Sequence, residues 1–318
     1  MHPIPSLLRC AAAGALALSL LSSAAPAAAS AQQTSGTIDS LARAFRAEHP
    51  TPALVIGVVD SEGERVIPYG VVGDDSTPAT GDTRFEVGSV TKIFTSLLLA
   101  QMVESGDVRL DDPIARYLPD SVKAPGYRGR EITLRELATH SSGLPRLPTN
   151  IAPANMADPY ADYTATRLHD FLDSYELPRA PDSSYEYSNL GAGLLGYLLA
   201  RHAGKPFADL LEEKILQPLG MDDSYVAELG FHASPQLALA LGWHVVQLPD
   251  SSSLYWHNGG TAGARSFVGF VPDSGAGVVV LINEALPLDA VMRFGVNLAR
   301  AALVKRGPGS AAGSSPAR

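Results

Sequence analysis

Three short motifs in the sequence contain side chains that could carry out nucleophilic catalysis. The first is Ser89-Val90-Thr91-Lys92, at the start of an apolar helix predicted over residues 90–105. A spacing of three residues on a helix places Ser89 and Lys92 on one face, within reach of each other. A lysine acts as a base only where burial or a nearby cation lowers its pKa. The pair predicts a serine nucleophile activated by Lys92; the alternative is that Ser89 only caps the helix.

The second motif, Tyr187-Ser188-Asn189, ends a polar loop and leads into a helix predicted over residues 190–202. A phenol near a cation can lose its proton more readily, and it can then relay protons between a nucleophile and a leaving group. The alternative is that Ser188 or Asn189 caps the helix while Tyr187 only packs against its neighbours. Tyr187 is therefore a candidate proton relay.

The third motif, His257-Asn258-Gly259-Gly260, lies at the end of a predicted strand. Its two glycines let a substrate approach the backbone closely. A free backbone N–H there can supply one donor of an oxyanion hole, which makes Gly259 and Gly260 candidate binding residues. The alternative is a simple glycine turn beside a surface histidine.

The same His-x-Gly-Gly pattern also resembles the oxyanion loop of α/β-hydrolases. That fold needs a Gly-x-Ser-x-Gly elbow, but Val87 stands two residues before Ser89. The alternation of strands and helices expected for that fold is also missing from the predicted elements. An α/β-hydrolase esterase is therefore a weaker alternative.

The predicted elements suggest how one fold could bring the three motifs together. Strands at both ends of the chain can join one antiparallel sheet of about five strands, flanked by terminal helices. The middle of the chain, about 107–240, then forms an inserted all-helical lobe, which gives an α/β fold of the α+β type. A cleft between the sheet and the lobe is the expected site. The terminal elements are predicted at 37–48, 53–60, 65–72, 241–247, 254–257, 266–271, 277–283 and 289–305.

Composition excludes several classes of function. The chain has 318 residues and a formal net charge of -9 without basic clusters, which argues against nucleic acid as a partner. Cys10 is the single cysteine, so neither a disulfide nor a cysteine nucleophile is expected in the mature chain. The eight histidines lack metal-ligand spacing, and no phosphate-binding or dinucleotide-binding loop is present. No metal or cofactor is expected.

The two ends of the chain have the composition of segments outside the fold. Arg9, an apolar run over residues 11–21 and a stretch of small residues have the order of a secretory signal peptide, predicted over residues 1–31 with cleavage after Ala31. The alternative is a retained membrane anchor, although the apolar run is shorter than the ~20 residues needed to span a bilayer. We expect export to the periplasm or medium without a stable membrane span, and a disordered tail at residues 306–318.

In their order along the chain, the three motifs resemble those of the β-lactamase-related serine hydrolases. This family includes class C β-lactamases, D-alanyl-D-alanine carboxypeptidases, esterases and D-aminopeptidases. Segments 85–92, 132–145 and 218–221 are also similar to family landmarks, and the resemblance covers roughly residues 37–305. It implies a β-lactamase/transpeptidase-like fold.

The resemblance also implies roles for single residues. Ser89 would be acylated, while Lys92 and Tyr187 would move the protons. Asn189 would help hold the substrate and the Lys92 side chain, and the backbone N–H groups of Ser89 and Gly260 would form the oxyanion hole. These roles describe a serine hydrolase that acts on an amide or ester.

His257 departs from the β-lactamase pattern, in which a lysine usually stands at its position. A histidine there is similar to what some carboxypeptidases and many esterase-like members have, so His257 is a candidate catalytic residue. Because a histidine is only partly charged near neutral pH, it should attract a substrate carboxylate less than a lysine does. Arg265 could supply that charge instead; the alternative is that Arg265 is an ordinary surface arginine.

A second departure concerns the length of the chain between Met221 and His257, which are only 36 positions apart. In the family this stretch is usually much longer, so residues 222–256 lack part of the expected lobe. The leading hypothesis is a serine hydrolase that acts on a small-molecule or peptide substrate: a D-alanyl peptide derived from peptidoglycan, a β-lactam or a small ester. The alternative is a catalytically impaired protein that keeps the fold to bind cell wall or a partner.

Overall fold

The computed structural model describes residues 24–61, 63–73, 76–154, 160, 162–226, 239–240 and 242–303. For residues 24–35 and 239–240, only the backbone is described. The predicted tail at residues 306–318 and most of the predicted signal peptide lie outside the described residues.

An antiparallel sheet forms one half of the fold and confirms the predicted α+β class. Its strands follow the order β3-β2-β1-β10-β9-β8-β7-β6, so strands from the two ends of the chain meet where β1 pairs with β10. Within the described residues the sheet has eight strands rather than about five. Two of the additional strands, β3 and β6, are two-residue edge strands, too short to show a sequence period. The strands are β1 (Ala53–Asp60), β2 (Gly63–Val72), β3 (Thr77–Pro78), β6 (Leu239–Ala240), β7 (Trp243–Gln247), β8 (Ser253–Gly260), β9 (Arg265–Val271) and β10 (Ala276–Ile282).

The two terminal helices, α1 (Ala24–Glu48) and α7 (Leu288–Leu303), contact each other, and α7 packs on the central strands. Phe45 of α1 stacks on Phe294 of α7, with ring centroids 4.2 Å apart. The residues of β10 alternate between buried and more exposed, so every second side chain joins this core. Helix α1 begins before the predicted 37–48 because the alanine-rich stretch ahead of it has high helix propensity.

The middle of the chain forms a helical lobe with a core of its own. Helix α5 runs through this core and buries Leu194, Leu195, Leu198 and Leu199, and each buried leucine contributes about 1.5–3 kcal/mol. The lobe is not all helical, since a short hairpin of β4 (Gly126–Tyr127) and β5 (Arg130–Glu131) interrupts it. Its helices are α2 (Thr91–Glu104), α3 (Leu134–Ala138), α4 (Ala165–Ser174), α5 (Asn189–Ala203) and α6 (Phe207–Leu211).

Shorter helical turns complete the lobe and connect it to the sheet. The turn directly before α2 packs against β8 and β9, which places the start of α2 at the boundary between the two halves. None of the helices in the described ranges is both long enough and apolar enough to span a bilayer. The turns are Gly88–Val90, Ile114–Tyr117, Glu212–Leu216 and Gln217–Leu219.

Candidate active site

Ser89 and Lys92 meet at the start of α2, as their spacing predicts. Ser89 lies in the turn Gly88–Val90 and Lys92 in the first turn of α2, and both side chains are buried. The Nζ of Lys92 donates a hydrogen bond to the Oγ of Ser89, at 3.0 Å. The residue that caps α2 is Val90, without a side-chain hydrogen bond, so the interpretation of Ser89 as a plain cap is wrong.

The surroundings of Lys92 give it the properties of a base. Burial, and secondly the positive charge of Arg146, lower the pKa of Lys92 from its ordinary 10.5 to about 7. Desolvation acts this way because it penalises the charged form of an amine. Near neutral pH a large fraction of Lys92 is therefore uncharged and able to accept the proton of Ser89.

Tyr187 completes the cluster around the candidate nucleophile. Its side chain is buried and hydrogen-bonds to Ser89, and the Nζ of Lys92 lies 5.2 Å from its ring centroid. Burial raises the pKa of Tyr187, and the hydrogen bond with Ser89 only partly opposes this shift. The prediction that a nearby cation makes this phenol lose its proton more readily is wrong here, because desolvation outweighs the attraction. At neutral pH these shifts favour Lys92 over Tyr187 as a proton acceptor and keep the phenol protonated.

His140 holds Tyr187 in place, a role that the sequence reasoning missed. Its ring stacks on Tyr187 with centroids 4.3 Å apart, and its Nδ1 accepts a hydrogen bond from the backbone N–H of Ser188, at 3.1 Å. Burial lowers the pKa of His140 to about 3, so the ring is neutral at pH 7. The signal lay in segment 132–145, which resembles a family landmark, but its histidine was not linked to the chemistry.

Ser188 caps α5, as the alternative interpretation of this motif predicts. Its Oγ accepts a hydrogen bond from the backbone N–H of Gly191, at 2.8 Å, and donates one to the carbonyl of Pro145, at 2.6 Å. The cap satisfies one of the free N–H groups at the start of the helix. It also fixes the residue directly after Tyr187, which helps to position the phenol.

The glycines at the end of β8 lie against the turn that carries Ser89. A Cβ on Gly259 would lie 2.0 Å from the carbonyl oxygen of Val87 and 2.9 Å from the nitrogen of Ser89. A Cβ on Gly88, whose φ is +52°, would lie 2.6 Å from the nitrogen of Gly260. Only glycine fits at these two positions. The backbone N–H groups of Ser89 and Gly260 therefore belong to neighbouring segments, as the two donors of an oxyanion hole must.

His257 is buried, so the interpretation as a surface histidine beside a glycine turn is wrong. Its Nδ1 lies 2.6 Å from the carbonyl oxygen of Asn258, so we assign the ring proton to Nδ1. Burial, followed by the neighbouring His244 and Lys92, holds the pKa of His257 well below its usual 6.5. The histidine is therefore neutral rather than partly charged. Its Nε2, which has no hydrogen-bond partner in the described part of the chain, is an acceptor.

Asn189 is the first residue of α5 and is almost fully buried. Its side-chain oxygen has no hydrogen-bond partner among the described residues. The structure therefore shows no contact between this oxygen and Lys92 of the kind the resemblance implies. A buried polar atom without a partner costs free energy, so this oxygen is not explained by the fold alone.

Arg265 is committed to the fold and brings no free charge to the site. Its guanidinium donates to three backbone carbonyls around the β8–β9 turn and the loop before α7, so it is more than an ordinary surface arginine. Within the described residues, no cluster of histidine, cysteine or carboxylate side chains could hold a metal ion. The carbonyls bound by Arg265 are those of Thr261, Ala264 and Leu286.

The chain is similar to several known proteins. A family model described as beta-lactamase matches residues 38–231, more than half of the chain. The chain is 38% identical over 143 residues to the D-alanyl-D-alanine-carboxypeptidase/endopeptidase AmpH of Escherichia coli (strain K12). This match covers 45% of this chain and 37% of AmpH. The chain is also 29% identical over 191 residues to a beta-lactamase of Pseudomonas fluorescens. This match covers 60% of this chain and 50% of that protein.

A solved structure has the same arrangement of sheet and helices. The crystal structure of a beta-lactamase/D-alanine carboxypeptidase from Yersinia pestis matches with a TM-score of 0.75 at 23% identity, and the match covers 86% of this chain and 99% of that one. This likeness confirms the predicted fold. The chain spans between 37% and 50% of the length of the two curated relatives.

Proposed function

Because this chain belongs to the beta-lactamase family, we propose that it is a serine hydrolase in which Ser89 forms an acyl-enzyme. The observation that carries the proposal is the 3.0 Å hydrogen bond between Lys92 Nζ and Ser89 Oγ. It joins a nucleophile to a base whose pKa, about 7, suits proton transfer near neutral pH. Tyr187, which hydrogen-bonds to the same serine, supplies the acid.

In the proposed reaction, neutral Lys92 takes the proton of Ser89 as the Oγ attacks the substrate carbonyl. The oxyanion of the tetrahedral intermediate accepts hydrogen bonds from the backbone N–H groups of Ser89 and Gly260. When the bond to the leaving group breaks, Tyr187 donates a proton to the leaving group, and the proton held by Lys92 then passes to the Tyr187 phenolate. Water then hydrolyses the acyl-enzyme by the same steps in reverse order.

The proposed substrate is an amide or ester with a carbonyl that the site can reach. Two matching proteins bear the names D-alanyl-D-alanine-carboxypeptidase/endopeptidase and beta-lactamase. For this chain we propose a D-alanyl peptide derived from peptidoglycan, a β-lactam or a small ester. The Oδ1 of Asn189 and the Nε2 of His257 are buried and have no partner among the described residues, and we propose that they accept hydrogen bonds from the N–H groups of an amide substrate.

A labelled penicillin and an activated ester test the proposal when adducts are measured by intact-protein mass. We expect the wild-type protein to gain one acyl group, and Ser89→Ala to gain none. Ser105→Ala, which changes an exposed serine at the other end of α2, is the matched control and should label like the wild type. Equal labelling of Ser89→Ala, or no adduct on the wild type with either reagent, would contradict the acyl-enzyme.

We also propose that the protein is exported and cleaved after Ala31. Helix α1 runs from Ala24 to Glu48, and its described buried residues begin at Ile38, so cleavage leaves this packed part of the helix intact. Mass spectrometry of the protein from the periplasm or medium should give a chain that begins at Gln32. A full-length chain in the membrane fraction would contradict this proposal.

A further inference from the structure

Arg146 is fixed next to the catalytic cluster by its backbone. Its carbonyl oxygen accepts hydrogen bonds from the backbone N–H groups of Asn189, at 3.0 Å, and Leu190, at 3.2 Å. The preceding residue, Pro145, accepts the hydrogen bond from Ser188. The segment that carries Arg146 is therefore tied to the segment that carries Tyr187.

The side chain of Arg146 is exposed and faces the same ring that Lys92 faces. Its guanidinium carbon lies 5.9 Å from the ring centroid of Tyr187, and the Nζ of Lys92 lies 5.2 Å from that centroid. Arg146 is also close enough to Lys92 to lower its pKa. A permanent cation thus stands at the solvent side of the catalytic cluster.

No acidic side chain among the described residues forms an ion pair with Arg146. Other exposed arginines of the lobe do have such partners, for example Arg135 with Asp111 and Arg116 with Asp112. Two cations beside one ring repel each other, and an anion that approaches Arg146 would relieve this repulsion. The guanidinium is also a planar donor whose geometry matches a carboxylate.

The other cationic candidates in this part of the molecule cannot take this role. His257 is buried and neutral, and Arg265 is bound to backbone carbonyls. Lys92 is buried and already hydrogen-bonded to Ser89. Because the chain has a net charge of -9, its long-range field does not attract anions, so a carboxylated substrate needs a local cation.

We propose that Arg146 is a specificity-determining residue that binds a carboxylate of the substrate at the mouth of the site. This inference rests on the proposed hydrolase function and adds a substrate class to it, namely esters or amides that carry a carboxylate near the reacting carbonyl. The carboxylate belongs either to the acyl part or to the leaving group of the substrate, and the two sources can be separated by experiment.

Three nitrophenyl esters test the proposal. p-Nitrophenyl butyrate is neutral, mono-p-nitrophenyl glutarate carries a carboxylate in the acyl part, and the butyrate ester of 5-hydroxy-2-nitrobenzoate carries one in the leaving group. The readout is the ratio of kcat/KM for each carboxylated ester to kcat/KM for the neutral ester. Each variant is measured on its own high-pH plateau, so that a change in the pKa of Lys92 cancels from the ratio.

We expect Arg146→Met to lower this ratio about tenfold for one of the carboxylated esters, the loss expected for one charge-assisted hydrogen bond. The affected ester identifies the source of the carboxylate. Arg146→Glu should lower the ratio further, and Arg146→Lys should retain part of it. Arg300→Met, which removes the same charge from an exposed position on α7, should leave the ratio unchanged.

A failure of this inference differs from a failure of the proposed function. If the esters still acylate Ser89 but both ratios agree within about twofold between wild type and Arg146→Met, Arg146 does not bind the carboxylate and the hydrolase proposal stands. If neither these esters nor the labelled penicillin acylate Ser89, the hydrolase proposal fails, and a binding measurement decides the inference.

That binding measurement uses Ser89→Ala protein and two pairs of unreactive anilides. Glutaric acid monoanilide is compared with butyranilide, and 3-butyramidobenzoate is compared with the same neutral anilide. Titration calorimetry should show that adding Arg146→Met to Ser89→Ala lowers the affinity for one carboxylated anilide about tenfold relative to the affinity for butyranilide. If the affinity for each carboxylated anilide relative to that for butyranilide is the same with and without Arg146, the inference is overturned.

Discussion

At the scale of single residues, the buried amine of Lys92 links reactivity to folding stability. Its pKa is low because the folded protein removes water from it, and the same desolvation opposes folding whenever the amine is charged. A shift of the Lys92 pKa from 10.5 to about 7 costs on the order of 4 kcal/mol of folding free energy at pH 7. We therefore expect the base to destabilise the fold that positions it.

Substituting Lys92→Met tests this cost, because methionine fills a similar space without a charge. We expect the free energy of unfolding at pH 7 to rise by about 2 kcal/mol or more, while acylation of Ser89 is lost. Between pH 7 and pH 10.5 the unfolded lysine holds a proton that the folded lysine has released. The stability of the wild type should therefore rise in this window, and the advantage of the variant should shrink.

Urea unfolding at pH 7, 8.5 and 10 measures this difference. Lys214→Met is the control, since Lys214 is exposed and pairs with an exposed glutamate. It should change the unfolding free energy by less than about 0.5 kcal/mol. A Lys92→Met protein that is less stable than the wild type at pH 7 would contradict the prediction.

The pH dependence of acylation separates Lys92 from Tyr187 as the base. Because the pKa of Lys92 is about 7 and that of Tyr187 is raised, the acylation rate should increase with pH, inflect near 7 and then level off. Tyr187→Phe should lower the plateau by about 10²–10⁴-fold, the usual contribution of a positioned acid, and keep the inflection near 7. Stopped-flow acylation with an activated ester measures both quantities. Loss of the inflection in Tyr187→Phe would assign the base role to the phenol.

At the scale of elements, the site depends on how closely β8 approaches the turn Gly88–Val90. The hydroxyl of Ser266 on β9 also donates to the carbonyl of Val87, at 2.7 Å, and so holds the sheet to this turn. A strand end and a helix start are thereby joined by backbone contacts that leave no room for a side chain. The oxyanion donors are expected at this junction.

Gly259→Ala tests this close approach. Its methyl group would lie 2.0 Å from the carbonyl oxygen of Val87, so β8 must move away from Ser89. We expect acylation to fall by at least about 10²-fold, as for the loss of an oxyanion donor. Gly263→Ala in the following turn has open space around its Cβ and is the control. Acyl-adduct formation over time measures the effect, and a Gly259→Ala protein that acylates at the wild-type rate would show that the approach is not required.

At the scale of the whole molecule, the cluster of Ser89, Lys92 and Tyr187 lies where two cores meet. The sheet core contains residues of α1, α7 and the strands, and the lobe core contains residues of α2 to α6. The short stretch 222–256 motivated the hypothesis of an impaired protein. Its described part continues the sheet through β7, and the cluster of Ser89, Lys92 and Tyr187 is assembled. The structure therefore gives no support to the impaired alternative.

Buried neutral histidines at this boundary should make the whole fold sensitive to acid. The pKa of His140 is about 3 in the folded protein and 6.5 when unfolded, so the unfolded chain takes up the proton first as pH falls. Stability from this group is present above pH 6.5 and decreases as pH falls toward 3. Chemical unfolding from pH 7.5 to 4 measures this loss.

His140→Phe keeps an aromatic ring beside Tyr187 but removes both the titrating group and the acceptor for the Ser188 N–H. We expect the free energy of unfolding at pH 7 to fall by about 1–3 kcal/mol, because the buried N–H of Ser188 is left without an acceptor. The difference in unfolding free energy between the variant and the wild type should become smaller below pH 6.5, because only the wild type loses stability through His140 there. His202→Phe, which changes an exposed histidine near the end of α5, is the control. A gap between wild type and His140→Phe that is constant with pH would exclude this titration.

The sequence by itself determined the features that depend on neighbouring residues. The contact between Ser89 and Lys92 could be predicted because residues three positions apart on a helix lie on the same face, whatever surrounds the helix. The paired sheet and lobe followed from apolar patterns at the two ends and in the middle of the chain. The convergence of Tyr187 and His257 on this pair was expected only from the family resemblance, since no local rule joins segments so far apart.

Only the tertiary structure decided the charges of the site. The pKa values of Lys92, Tyr187 and His257 depend on desolvation by side chains that are distant in sequence. Tertiary packing also brings the carbonyl of Leu286 to Arg265, which the sequence suggested as a charge for the substrate, and places Arg146 beside Tyr187. Residue type and spacing identify the atoms that can react; the packing of distant segments sets their protonation states and the charge that a substrate meets.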